Sequence, residues 1–281
     1  MNTSKLKPHI LSLSLLFVAG DAIITLPFLS SDTPLLSLLL CCVFSIIFVL
    51  LWRIVFILLA RFKTSLWVNS VFICLLSLLS GAIVFYEYLL FLINSQFPKS
   101  SPFILGVAMI FVLFFFVKSS PLSLYKFSLV SAVFCGIVLV ICFLSGIKNF
   151  SFNDFSLNCN GISQNFSKIF FCRFFSLGSL VVYTHITTDN STAKPLLCGV
   201  LLGFLALVFS LLQSMLTLNN YNVAFPYLYS VSTISLGSLF TRLDGMVYFL
   251  FFITAFLKIT INIKTLVLLI AYCKFSQKVI K

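Results

Sequence analysis

Long apolar runs alternate with short polar breaks along this chain. A helix that crosses a bilayer needs roughly 20 predominantly apolar residues. Eight runs have this character: Ile10–Phe28, Pro34–Leu59, Leu66–Ile93, Pro102–Val117, Leu122–Gly146, Ile169–Ile186, Pro195–Leu218 and Met246–Cys273. The pattern therefore predicts eight membrane-spanning helices, which are called the first to the eighth span in chain order.

The breaks carry residues that favour turns, for example Pro98–Ser101 and Ser119–Pro121. The longest polar segment, Ile147–Lys168, is rich in Asn, Ser and Phe. A shorter apolar stretch, Ala224–Phe240, is interrupted by Pro226 and polar residues. We expect that stretch to form a re-entrant or interfacial helix.

Composition supports the membrane interpretation. Hydrophobic residues make up 61% of the 281 positions and charged residues 9%, whereas globular domains are about half apolar and a quarter charged. The mean hydropathy is +1.18. So few polar and charged residues cannot cover the surface of a soluble protein. We therefore predict an all-α polytopic membrane protein with residues 1–281 in a single transmembrane domain.

The net charge of +12 comes from cations placed singly near the ends of apolar runs. Cytoplasmic loops of membrane proteins are enriched in Lys and Arg. With the N-terminus in the cytoplasm, ten cations lie inside: Lys5, Lys7, Arg61, Lys63, Lys118, Lys126, Lys194, Lys274, Lys278 and Lys281. Four lie outside: Lys99, Lys148, Lys168 and Arg242. We therefore expect both termini in the cytoplasm and no nucleic-acid partner.

Signatures of catalysis are absent from the sequence. His9 and His185 have no paired carboxylates or metal-ligand spacing near them, and the chain has no Gly-rich phosphate loop. Its nine cysteines show no CxxC spacing. We expect neither an enzyme nor a bound metal or cofactor, and no disulfide.

Two spans are interrupted by residues that weaken a helix. Gly20, Asp21 and Pro27 interrupt the first span, and Gly178 and Ser179 the sixth. Unwound segments in corresponding spans indicate transporter-type binding sites, where freed peptide groups meet a polar ligand. The predicted ligand-binding residues are Ala19, Gly20, Asp21, Thr25, Gly178, Ser179 and Tyr183. In the alternative interpretation, these small residues only allow helices to pack closely.

Glu87 and Lys258 are charged residues within apolar runs. Glu87 lies between Tyr86 and Tyr88 in the third span, where it reaches interfacial water or faces a polar cavity. Lys258 lies near the centre of the eighth span, so it must face the bundle interior or extend to the interface. Asp21 is a candidate partner for Lys258.

Three groups of residues resemble spore germination permeases, the B subunits of germinant receptors. The eighth-span region Ser235–Gly245 and Ala255–Thr260 is similar to that family's Arg–apolar–acidic step and its later Lys-containing element. Phe85–Tyr88 and Phe97–Pro102 resemble its helix 3 acid and a following Pro-Lys loop. Gly20–Pro27 resembles its first-helix pattern.

The resemblance implies an amino acid–polyamine–organocation (APC) type fold of two inverted five-helix repeats, with helices 1 and 6 broken. The first repeat would span about 10–146 and the second about 169–273, lacking the last two helices of the family's ten. It also implies the inner spore or cytoplasmic membrane, partner A and C subunits, and a small germinant such as an amino acid. Two alternatives stay open: an amino-acid permease, and a structural membrane subunit without a ligand.

Overall fold

The computed structural model describes residues 3–20, 34–61, 66–95, 99–150, 166–188, 193–217, 226–232 and 244–278. Nine α-helices occupy these ranges: α1 Thr3–Ala19, α2 Pro34–Arg61, α3 Leu66–Ser95, α4 Pro102–Lys118, α5 Pro121–Gly146, α6 Phe166–Thr187, α7 Ala193–Thr217, α8 Pro226–Ser232 and α9 Asp244–Lys278. A 3-10 turn, Ile147–Asn149, follows α5. The described part of the chain is therefore all-α, as predicted.

Four stretches of these helices are long and apolar enough to cross a membrane: Val71–Asn94, Pro121–Asn149, Ala193–Thr217 and Gly245–Ala271. Three shorter apolar helical stretches accompany them: Lys7–Ala19, Leu39–Val55 and Pro102–Lys118. The surface of the bundle carries many large apolar side chains, such as Phe103 and Val130, which are 78% and 71% exposed. Surface of this kind suits contact with lipid rather than water.

Turn residues set the helix boundaries where the sequence predicted them. Ser120 precedes α5 in extended conformation, and its hydroxyl accepts a hydrogen bond from the Ser123 N–H at 3.1 Å. Pro121 occupies the first turn of α5, where its missing N–H is not needed. The segment Ser119–Pro121 therefore ends one helix and starts the next within three residues.

Within the first predicted span, Ile10–Phe28, α1 ends at Ala19 and Gly20 adopts a turn. The remaining part of that span, residues 21–28, lies outside the described residues. Gly20 is also where the sequence placed the interruption. Of the stretch Ala224–Phe240, the described part is the short helix α8.

Helix α9 forms the centre of the bundle. It packs against α3, α6, α4 and α1, and 72% of its membrane-length stretch is buried, compared with 28% for α5. A mainly apolar helix that other helices enclose lies in the middle of a bundle. Its buried polar residues therefore meet protein rather than lipid.

Helices α1 and α7 form the most extensive pair in the bundle, and two glycines one turn apart explain their close approach. A Cβ atom added to Gly203 would lie 2.7 Å from the Val18 Cβ and 2.8 Å from the Leu15 carbonyl oxygen. One added to Gly199 would overlap the Ser14 hydroxyl. Gly-x-x-x-Gly spacing lets helix backbones approach in this way.

Lys264 joins α9 to the end of α4. Its ammonium group donates a hydrogen bond to the Ser119 carbonyl oxygen and another, at 3.4 Å, to the Ser119 hydroxyl. The C-terminal end of a helix carries partial negative charge, which a cation stabilises. The Lys264 side chain is buried, so it stabilises the α4–α5 corner from inside the bundle.

Candidate functional site

A stripe of buried polar residues runs along α9. Thr254, Lys258, Asn262 and Thr265 are each at most 1% exposed, and their spacing of four, four and three residues places them on one face of the helix. The stripe extends over the twelve residues 254–265, which is about 16 Å along the axis of an α-helix. Buried polar groups are costly in an apolar environment unless they are hydrogen-bonded.

Helix α1 ends against the first residue of this stripe. A Cβ atom added to Gly20 would lie 3.0 Å from the Thr254 carbonyl oxygen. The Gly20 N–H still donates to the Leu16 carbonyl at 2.9 Å, which closes the last turn of α1. Ala19 and Gly20, two of the predicted binding residues, are therefore buried at a helix end inside the bundle.

Lys258 lies one turn further along α9 and faces the interior. Its side chain is 1% exposed, and Nζ lies 4.9 Å from the centre of the Phe17 ring on α1. An aromatic ring face attracts a cation, most strongly where water is excluded. Of the two alternatives, the structure confirms that Lys258 faces the bundle interior.

Two further predicted contacts, Asp21 and Thr25, lie outside the described residues. The pairing of Asp21 with Lys258 therefore stays a prediction. The described contacts already bring the last turn of α1 and the middle of α9 together through Phe17, Gly20, Thr254 and Lys258.

The predicted interruption of the sixth span is wrong. Helix α6 runs from Phe166 to Thr187 without a break. The space beside Gly178 is filled by Trp52 of α2, because a Cβ atom added to Gly178 would lie 2.7 Å from Cε2 of that ring. Gly178 therefore serves close helix packing, which was the alternative interpretation of this segment.

Ser179 connects α6 to the far end of the polar stripe. Its hydroxyl is hydrogen-bonded to the Asn262 side-chain oxygen, and the Asn262 amide nitrogen donates to the Ser80 hydroxyl on α3 at 3.3 Å. Thr265 donates to the Ser179 carbonyl oxygen at 3.1 Å. These hydrogen bonds hold α3, α6 and α9 together, so Ser179 has a structural role in addition to any contact with a ligand.

Tyr183 lies one turn beyond Ser179 and is fully buried. Its ring centre is 6.0 Å from that of Tyr125 on α5, whose hydroxyl is hydrogen-bonded to Thr187 at 2.7 Å. Within the described part of the chain, the Tyr183 hydroxyl has no hydrogen-bond partner. A buried hydroxyl in this state is suited to a polar ligand or an ordered water molecule.

Glu87 is half-buried on α3, between exposed Tyr86 and buried Tyr88. A half-buried carboxylate can reach interfacial water or face a polar cavity, so both interpretations of Glu87 stay open.

The sequence analysis missed two features that position the site. The Gly199–Gly203 spacing was readable in the seventh span and is a known sign of close helix pairing. Asn262, four residues after Lys258, was readable as the next polar residue on one helix face. By contrast, only the folded structure shows that Trp52 fills the space beside Gly178.

Comparisons of the chain with protein-family models, with curated proteins and with solved structures find no match.

Proposed function

We propose that the protein is a multi-pass membrane subunit that recognises a small polar solute, such as an amino acid, where α1 ends against α9. The observation that carries this proposal is the contact of Gly20 with Thr254, one turn from the buried Lys258. A helix end at membrane depth is tolerated where protein covers it or where it lines a cavity. A buried cation inside a membrane bundle is by default a functional-site hypothesis.

The chemistry of this contact suits a zwitterion. The carboxyl end of α1 carries partial negative charge and favours an ammonium group. The Lys258 ammonium complements a carboxylate. An α-amino acid carries both groups two bonds apart, so the two sides of the contact would recognise its two charges.

Because α6 is continuous, its residues would contribute to solute recognition in a different way from the one that the sequence predicted. The site has one helix end, at Gly20, and α6 contributes side chains rather than freed peptide groups. The Ser179 hydroxyl is already hydrogen-bonded to Asn262. Tyr183 has a buried hydroxyl without a partner among the described residues, but it lies one turn beyond Ser179, at the opposite end of the polar stripe from the proposed solute.

We further propose that this recognition serves spore germination, with eight spans in an APC-type arrangement and both termini in the cytoplasm. The sequence resemblances at Gly20–Pro27, Phe85–Tyr88 and Ala255–Thr260 support this role. Two of these segments include residues of the α1–α9 contact, Gly20 and Lys258. The receptor's A and C subunits would then be the partners of this chain.

A structural subunit without a ligand is the second candidate. The filled space between Gly178 and Trp52 favours it, because the predicted second opening in the bundle is closed. Binding measurements separate the two functions.

The experiment combines binding with function. Purified protein is screened against amino acids by thermal shift, and spores carrying Lys258→Ala or Gly20→Leu are tested for germinant response. We expect an amino acid to stabilise the parent protein and both substitutions to abolish that stabilisation and the response. Lys126→Ala is the control, because Lys126 is an exposed lysine on α5. A normal dose response in both variants would contradict the proposal.

A further inference from the structure

A cleft opens on the lipid-facing side of the bundle between α3, α4 and α9. Its volume is about 510 Å³, which lies within the range typical of small-molecule sites. It runs from Ser77 to Phe85 on α3 and from Ile110 to Val117 on α4. The walls are almost entirely apolar, and Gly81 leaves room beside Asn262 at the back.

The length of the cleft matches one leaflet of a bilayer. The nine residues 77–85 of α3 and the eight residues 110–117 of α4 span about 12 Å and 10 Å along their axes. Half of the hydrocarbon core of a bilayer is about 15 Å thick. The cleft is therefore long enough to hold most of one acyl chain and too short to span both leaflets.

A cation stands at one end of the cleft. Lys118 is exposed and follows Val117 directly, and its Nζ lies 4.3 Å from the centre of the Phe114 ring, which lines the cleft. A cation at the membrane surface attracts anionic lipid headgroups. The apolar groove and the cation at its end together have the shape of an anionic lipid.

We propose that the α3–α4–α9 cleft binds one acyl chain of an anionic phospholipid whose phosphate lies near Lys118. The acyl chain lies between Leu78 and Ile110 and reaches Phe85 at the far end. This inference does not depend on the proposed solute, because the cleft is lined by Ile259, Asn262 and Ile263 of α9, whereas the end of α1 meets Thr254 and Lys258. The bound acyl chain would keep water away from the buried polar groups that line the cleft, such as Ser77.

The test uses the full chain in bilayers with two photoreactive lipids. Phosphatidylglycerol and phosphatidylcholine carry the same diazirine-labelled acyl chain, and cross-linked peptides are mapped by mass spectrometry. We expect phosphatidylglycerol to label residues 77–85 and 110–117 about fivefold more than phosphatidylcholine, as one cation near the surface would produce. Lys118→Gln should bring the two lipids to the same level.

Two matched controls make the result specific. Lys99→Gln removes an exposed cation at the other end of α4 and should leave the preference unchanged. Ala82→Phe fills the cleft, because Ala82 is exposed and lines it, and should lower labelling by both lipids. Its control, Leu79→Phe, adds the same ring at an exposed position outside the cleft and should have no effect.

Three results would overturn the inference. Equal labelling of the unmodified protein by the two lipids would remove the role of Lys118. Label spread evenly over the exposed apolar surface would show that the cleft is not a site. Labelling unaffected by Ala82→Phe would show that the acyl chain lies elsewhere.

Discussion

Lys258 and Phe17 join the middle of α9 to the last turn of α1, with the ammonium nitrogen 4.9 Å from the ring centre. Both side chains are almost completely buried. The contact joins the end of α1 to the centre of the bundle. It also places a cation beside the proposed solute site.

Replacing Phe17 by leucine tests this contact. The substitution keeps an apolar side chain but removes the ring face, and a desolvated cation–π contact contributes about 2 kcal/mol. For a protein of this size such a loss lowers the melting temperature by about 4 °C or more. Thermal unfolding in detergent measures the effect, and Phe72→Leu, at an exposed position on α3, is the control. Equal shifts for the two variants would show that the Phe17 ring has no special role.

A glycine in the α1–α7 contact and one on the open face of α5 should respond differently to the same substitution. Gly199→Ala forces a methyl group onto Ser14 and the Leu11 carbonyl, and overpacking of this kind costs about 1–3 kcal/mol or more. Gly136→Ala on α5 meets no atom within 4 Å, so it should be neutral or stabilise the helix by up to about 1 kcal/mol. Melting temperatures of the two variants measure the difference. A stable Gly199→Ala protein would show that α1 and α7 can separate without loss.

The hydrogen bond between Ser179 and Asn262 can be measured with a double-mutant cycle. Ser179→Ala and Asn262→Ala each remove one side of the bond, and pairs of this kind in membrane proteins couple by about 0.6–1.7 kcal/mol. We expect a coupling energy in this range from unfolding in detergent. Ser145→Ala paired with Asn262→Ala is the control, since the Ser145 hydroxyl donates to Ile141 within its own helix. Additive effects of Ser179→Ala and Asn262→Ala would mean that the bond contributes no net stability.

The predicted orientation can be tested with cysteine labelling. Lys99 and Lys126 are both exposed, and the distribution of cations places Lys99 outside and Lys126 inside. We expect Lys99→Cys to gain labelling by a membrane-impermeant thiol reagent in intact cells, above the level of the parent protein. Lys126→Cys should gain labelling only after the membrane is opened. The reverse pattern would invert the topology.

Much of the fold was predictable because its signals are local. Apolar runs and turn residues located the helices, and the ends of α4 and α5 lie within a residue of their predicted positions. The sequence left Lys258 two positions, the bundle interior or the interface, because a charge at that depth has few alternatives, and the structure places it in the interior. The end of α1 coincides with Gly20, where the sequence weakens the helix.

The predicted break in α6 failed because small residues have two uses in membrane helices. Gly178 and Ser179 favour either an unwound segment or a close neighbour, and the choice depends on what lies opposite. The neighbour is Trp52, which is 126 positions away in the chain. No local pattern in the sixth span carries that information.

The Gly199–Gly203 contact has a mechanical consequence. Because α1 is held tightly along α7, any displacement of its carboxyl end must either carry α7 with it or bend α1 near Gly20. Movement of this end would therefore be passed from α1 directly to α7. The two glycines therefore make α1 and α7, which are far apart in the sequence, move as one rigid unit.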